Sequence, residues 1–120
     1  MFARTVSIHL KSNMLSDYTR TFEKDVLPLL RKQKGFKDEI TLAGPSGADV
    51  TAISLWENKA DAEAYNTNAY PEVLKMLARF IEGTPKVQTS DVVTSTLHKL
   101  EVQAFKRQHR SMSFLTREGG

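Results

Sequence analysis

From Phe2 to Leu10 apolar and polar residues alternate, with Val6, Ile8 and Leu10 on one side and Thr5, Ser7 and His9 on the other. A period of two predicts a first strand. Lys11, Ser12 and Asn13 break it, and from Leu15 the spacing becomes that of a helical stripe: Tyr18, Phe22, Val26 and Leu29 or Leu30, with Asp17, Arg20, Glu23 and Lys24 turned to water. Pro28 falls inside that stripe and has no N–H to donate, which predicts a bend with the preceding turn loosened, and Gly35 is a natural stop. Phe36 to Ala43 reads as a second strand carrying Ile40 and Leu42, and Gly44-Pro45-Ser46-Gly47 is the turn that makes it a hairpin with a third.

The third strand is apolar on both sides, Ile53 and Leu55 on one and Ala52, Ser54 and Trp56 on the other, so it is expected to be central and covered above and below. At Asn58, a favoured N-cap with Asp61 three residues on, it hands over to a short helix, Lys59 to Tyr65, that Asn66-Thr67-Asn68 interrupts. Pro71 opens another helix carrying Val73, Leu74, Leu77 and Ile81, which Gly83 and Pro85 end. Lys86 to Leu97, rich in Val and Thr, reads as the fourth strand. Leu100, Val102 and Ala104 continue an alternation, as a continuation or a fifth strand, and Arg107 to Gly120 has no period.

Strand, helix, strand, strand, helices, strand is a ferredoxin-like split βαβ order of the α+β class, closing into a four-stranded antiparallel sheet with helices on one face. The other face of an apolar central strand then needs a cover that so short a chain does not supply. A second copy packed sheet against sheet, a homodimer, is the economical answer.

A chain of 120 residues makes one domain, read here as residues 1–98 followed by a basic extension, 99–120. The net charge of +3 resides in that extension: residues 1–98 hold 12 Lys/Arg against 12 Asp/Glu, and residues 99–120 hold 5 against 2. A neutral body argues against a nucleic-acid partner. The absence of cysteine excludes disulfides and thiolate chemistry, and neither a leader-like nor a membrane-spanning apolar run is present, so a cytoplasmic location and no membrane partner are expected. The terminal Gly119-Gly120 is like the end of ubiquitin-like carriers, but the element order is not theirs.

Three stretches, Leu30 to Phe36, Ile53 to Tyr65 and the Val-rich final strand, give residues 3–98 a sequence that resembles the antibiotic biosynthesis monooxygenase family. The resemblance implies a dimeric α+β barrel. It also implies one of the family's activities, which include cofactor-free oxidation of electron-rich aromatics, quinol oxidation and haem degradation. For the haem-degrading branch, Tyr65 stands where a Trp is expected and Lys75 about where an axial His is, and strand one offers no matching Asn. Lysine does not replace the imidazole that holds haem iron, so haem is not expected.

The preferred expectation is therefore a cofactor-independent monooxygenase acting on a small aromatic or quinol-like molecule, with no cofactor and no metal. Its alternative is a non-catalytic ligand-binding or interaction protein on the same fold. His9, whose imidazole titrates near neutrality, is the expected base, with Asn66 or Arg79 stabilising the anion. Trp56, Tyr65, Tyr18 and Phe22 are the expected walls of the substrate site, because aromatic faces stack on aromatic ligands. Each has an ordinary reading beside this one: a strand histidine bonded to a neighbour, core aromatics at helical spacing, and a solvated arginine one turn from Lys75. Neither HxH nor HExxH spacing occurs.

Overall fold

The computed structural model describes residues 1–98. Four strands, β1 (Phe2–Leu10), β2 (Phe36–Ala43), β3 (Asp49–Trp56) and β4 (Ile81–Asp91), form one antiparallel sheet in the order β2-β3-β1-β4. β3 is interior, as its two apolar faces require. Helices α1 (Leu15–Thr21), α2 (Leu27–Arg31), α3 (Lys59–Asn68) and α4 (Tyr70–Leu77) cover a single face of the sheet. This is the ferredoxin-like α+β architecture, and the even-numbered residues of β1 and β3 supply its floor: Phe2, Arg4, Val6, Ile8 and Leu10, with Val50, Ser54 and Trp56, are all buried.

The stripe of the first helical segment is buried as its spacing predicts, at Tyr18, Phe22, Val26 and Leu30. Between α1 and α2, Phe22–Val26 is a turn of π-helix, and the Leu27 N–H donates to the Phe22 carbonyl five residues back. The proline ring at position 28 crowds the carbonyl of Lys24, and a widened turn relieves that contact while the apolar stripe stays aligned. At the hairpin, Gly44 N–H donates to Asp49 O at 2.8 Å and Gly47 N–H to Gly44 O at 2.9 Å. The Asn58 side chain caps α3, accepting from Asp61 N–H at 2.9 Å.

Three boundaries differ from the sequence reading. α3 does not stop at Tyr65 but continues to Asn68, because Asn66, Thr67 and Asn68 lie on its exposed side, where polar residues cost a helix little. α4 ends at Leu77 and passes through a 3-10 turn, Ala78–Phe80, so Ile81 belongs to β4 and not to the helical stripe. β4 begins before Gly83 and Pro85 and ends at Asp91. Its register against β1 steps from Ser7↔Lys86 to His9↔Glu82, so four residues of β4 span two of β1. Gly83, at φ 74°, and Pro85 sit in that bulge on an edge strand, where a left-handed residue and a missing N–H are both accommodated. The alternation at Leu100, Val102 and Ala104 and the extension 99–120 lie outside the described residues.

The sheet face away from the helices carries Thr5, Ile53, Ile40 and Leu42 side by side across β1, β3 and β2. Ile40 is 40% exposed and Leu42 53%. Leu55 on the same face is buried, near where the chain returns after β4 to bring the His98 imidazole against Asp38, the register partner of Leu55.

Candidate functional site

Between the sheet and the helices lies a cavity of about 40 Å³. Its floor is a row of residues facing each other across three strands on the helical face, Glu39 on β2, Ser54 on β3 and Arg4 on β1. Its walls are aromatic: Tyr18 and Phe22 from the first helical segment, Tyr65 from α3 and Tyr70 from α4. Aliphatic side chains such as Val6, Val73 and Leu77 complete it.

Arg4 is the unusual member. It occupies a floor position, two residues before Val6, and is only 3% exposed. Its guanidinium carbon lies 4.0 Å from the ring centroid of Tyr70 and 5.2 Å from that of Tyr65, so two π-faces replace water around the charge. Nη2 donates to Asn66 Oδ1 at 2.8 Å. Among the described residues no carboxylate lies within ion-pair distance of it. Nε is buried with no hydrogen-bond partner, and so is the hydroxyl of Tyr18.

Burial sets the electrostatics of the other groups. It raises the Tyr18 phenol well above its ordinary value, with the carboxyl of Glu39 contributing in the same direction. It pushes Tyr65 up to about 12, the charge of Arg4 opposing. The Glu39 carboxyl is raised as well, by burial, with the hydrogen bond from the Thr41 hydroxyl (2.7 Å) pulling the other way.

The sequence-chosen residues divide. Tyr18, Phe22 and Tyr65 line the cavity, and Asn66 reaches its edge through Arg4. Trp56 does not line it: the indole is fully buried between Phe36 and Tyr65, ring centroids 5.6 and 5.0 Å away, and its N–H donates to Ser54 Oγ at 2.9 Å. Stacking of a ligand directly on Trp56 is thereby corrected, since both ring neighbours are already protein. His9 points from the opposite face of the sheet, exposed, with Nδ1 2.8 Å from Asp49 Oδ1 and Nε2 3.6 Å from Glu82 Oε1. One residue of register decides this, because odd positions of β1 face away from the helices. Arg79 is exposed over the ring of Phe80, at 4.5 Å. Neither His9 nor Arg79 joins the cavity. Arg4, Ser54 and Glu39 were not singled out by the sequence reading, although the alternation through Val6, Ile8 and Leu10 extends back to Arg4.

Among the described residues no cluster of His, Asp and Glu has the makings of a metal site, and no helix is long and apolar enough to cross a membrane.

No family model matches the chain, and no curated protein sequence does. Solved structures do. A monooxygenase of Streptomyces coelicolor, in complex with nanaomycin D, superposes with a TM-score of 0.68 at 16% identity, over 82% of this chain and 92% of that one. A Bordetella bronchiseptica protein assigned as an antibiotic biosynthesis monooxygenase gives 0.67 at 14% identity, over 78% and 97%. A Nitrosomonas europaea protein of unknown function gives 0.67 at 14%, over 82% and 94%. At such identities the likeness speaks for the fold. The chain thus has the fold of the antibiotic biosynthesis monooxygenases, from β1 through β4.

Proposed function

We propose that the protein oxidises a small aromatic or quinol-like molecule in the cavity between sheet and helices, with dioxygen as oxidant and without a bound cofactor. The observation that carries this reading is the cavity's make-up, an apolar concavity between sheet and helices with walls from Tyr18, Phe22, Tyr65 and Tyr70. Concave apolar sites with a few converging polar groups are where small ligands bind. For an anthrone-like substrate the balance is a ring CH₂ and O₂ giving a ring C=O and H₂O. Loss of a substrate proton comes first, and the resulting electron-rich anion reduces oxygen. Similarity of fold to a monooxygenase crystallised with nanaomycin D supports an aromatic ligand.

As it stands the cavity has room for a few waters and not for a ring system. Binding therefore includes outward movement of wall residues, for which half-buried Tyr70 and Leu74 are placed. The second reading is a ligand-binding protein without catalysis, favoured by one observation: the imidazole expected to act as base, His9, lies on the other face of the sheet. That opposite face, with Ile40, Leu42 and Ile53, is proposed as the contact between two copies of the chain.

Oxygen uptake by the purified protein with a panel of quinols and anthrones separates the two readings. The oxygenase consumes dioxygen with at least one of them, and Ala52→Leu, which fills the cavity floor, suppresses it. If the parent binds members of the panel, read by the emission of Trp56 behind Tyr65, but consumes no oxygen, the binding protein is the better account.

A further inference from the structure

Strand register gathers several chain segments at one end of the sheet. β2 starts there at Phe36 and β1 at Phe2, while β3 ends there at Trp56 and β4 at Asp91, a row of cross-strand partners. The loop that enters β2 and the chain that leaves β4 therefore share that end. Residues 31–37, Arg-Lys-Gln-Lys-Gly-Phe-Lys, hold four cations and no carboxylate, whereas the other residues of 1–98 hold 8 Lys/Arg against 12 Asp/Glu. A body neutral in sum thus carries its excess of positive charge in one short stretch.

Arg31, Lys32 and Lys34 are exposed and pair with no carboxylate among the described residues. Lys37 is taken by Glu57 at 2.8 Å. From Asp91 the chain, tied at its start by the bond from Val92 N–H to Met1 O (3.0 Å), crosses from β4 to β2 and brings His98 against Asp38, the residue after Lys37. The extension 99–120, with 5 Lys/Arg against 2 Asp/Glu, accordingly starts beside the basic loop. On the crossing segment two aliphatic side chains are turned to water: Val93 is 83% exposed and Leu97 59%, the highest values among the large apolar residues described. Ser95 fixes the turn that presents Leu97, its hydroxyl oxygen accepting from Leu97 N–H at 3.0 Å and from His98 N–H at 3.2 Å.

We propose that this end of the molecule docks on an anionic lipid bilayer, with Arg31, Lys32 and Lys34 at the phosphates and Val93 and Leu97 entering the headgroup boundary. The proposal goes beyond the cavity reading and does not depend on it. Among the described residues no helix is long and apolar enough to cross a membrane, but a protein that lies on a bilayer needs only cations and a few apolar side chains on one surface. The expectation of no membrane partner rested on spanning alone. A nucleic acid would also meet the cations, yet unpaired bases are bound by stacking on aromatic side chains, and no aromatic residue among those described is exposed. Of the carboxylates near this end, Glu57 and Asp38 are paired and Asp61 is buried, which among the described residues leaves Asp91 exposed and unpaired.

Flotation of the full chain with vesicles is the test. The protein is expected to float with vesicles of phosphatidylcholine containing phosphatidylserine, not with phosphatidylcholine alone, and to be released as salt screens the charges. Each Lys or Arg near an anionic bilayer is worth about fivefold in affinity, so the triple variant Arg31→Glu, Lys32→Glu, Lys34→Glu is expected to bind roughly a hundredfold more weakly. All three side chains are exposed, and an unchanged circular dichroism spectrum checks the fold. Val93→Ser with Leu97→Ser is expected to weaken binding about tenfold. Equal flotation with both kinds of vesicle, or with neither, overturns the proposal. So does a triple variant that binds as the parent does, since the charge of the extension alone would then account for binding. Displacement from the vesicles by a single-stranded oligonucleotide at matched phosphate concentration would assign the surface to nucleic acid instead.

Discussion

The guanidinium of Arg4 lies over the ring of Tyr70, its carbon 4.0 Å from the centroid, in a core position where the strand pattern calls for an apolar residue. Taking a guanidinium out of water costs several kcal/mol, against about 2 kcal/mol from a desolvated cation–π contact and about 1 kcal/mol from a hydrogen bond. Removing the charge is therefore expected to relieve a modest net cost. Arg4→Met keeps most of the volume and removes the charge, and its partner Asn66 is exposed, so water replaces the lost donor. We expect the variant to be more stable by about 1 kcal/mol, a rise of roughly 4 °C in Tm for a domain of this size. A drop in Tm measured by calorimetry would show that Arg4 is structural after all.

Gly35 has φ 79°, and a Cβ placed on it would lie 2.1 Å from the Asp61 carboxylate, so conformation and space both demand glycine there. Gly83 has a similar φ of 74° with nothing around it. The pair separates strain from clash. Gly83→Ala is expected to cost about 1 kcal/mol, the left-handed penalty alone, and Gly35→Ala about 3 kcal/mol or more in urea unfolding. Equal losses at the two sites would mean that Asp61 moves aside freely.

Legibility from sequence followed the physics of each element. Period and turn chemistry located β1, β2, the hairpin and the N-cap at Asn58, because those are local matters between near neighbours. Pro28 announced its widened turn for the same reason. The end of α3 was not legible, since Asn66, Thr67 and Asn68 read as a break unless one knows that this side faces water. Gly83 and Pro85 read as a helix stop because the bulge that accepts them is defined by pairing with β1, a partner over seventy residues away. In the candidate site the aromatics were visible and the polar floor was not. Arg4, Ser54 and Glu39 become neighbours only through strand register, and the same register puts His9 on the far face.

His9 remains informative as a titration probe. Its pKa is raised above 6.5, first by the hydrogen bond with Asp49, which outweighs an opposing desolvation, and further by the charges of Asp49 and Glu82. A raised folded value means that protonated His9 favours the fold. Its contribution is complete below pH 6.5 and disappears as the pH climbs through the raised value. NMR titration of the imidazole is expected to give a midpoint above 6.5 that Asp49→Asn moves back down. A midpoint at or below 6.5 in the parent would mean that the pair does not persist in solution.

The outer face of the sheet bears on assembly. Ile53 sits between its register partners Thr5 and Ile40, Leu42 follows on β2, and none of the helices lies on that side. Exposed residues of this size are ordinary singly, but a contiguous set on a sheet has the composition of an interface core. If two copies meet there, light scattering at micromolar concentration gives twice the chain mass of 13.5 kDa. Ile40→Glu with Leu42→Glu places two like charges per subunit into that contact. In a monomer both positions are already 40% and 53% exposed, and surface changes of this kind shift stability by only about 0.5 kcal/mol. The double variant is therefore expected to fold with an unchanged circular dichroism spectrum and to run at half the parent's mass. A monomeric parent, or a variant that keeps the parent's doubled mass, would place any contact between copies elsewhere.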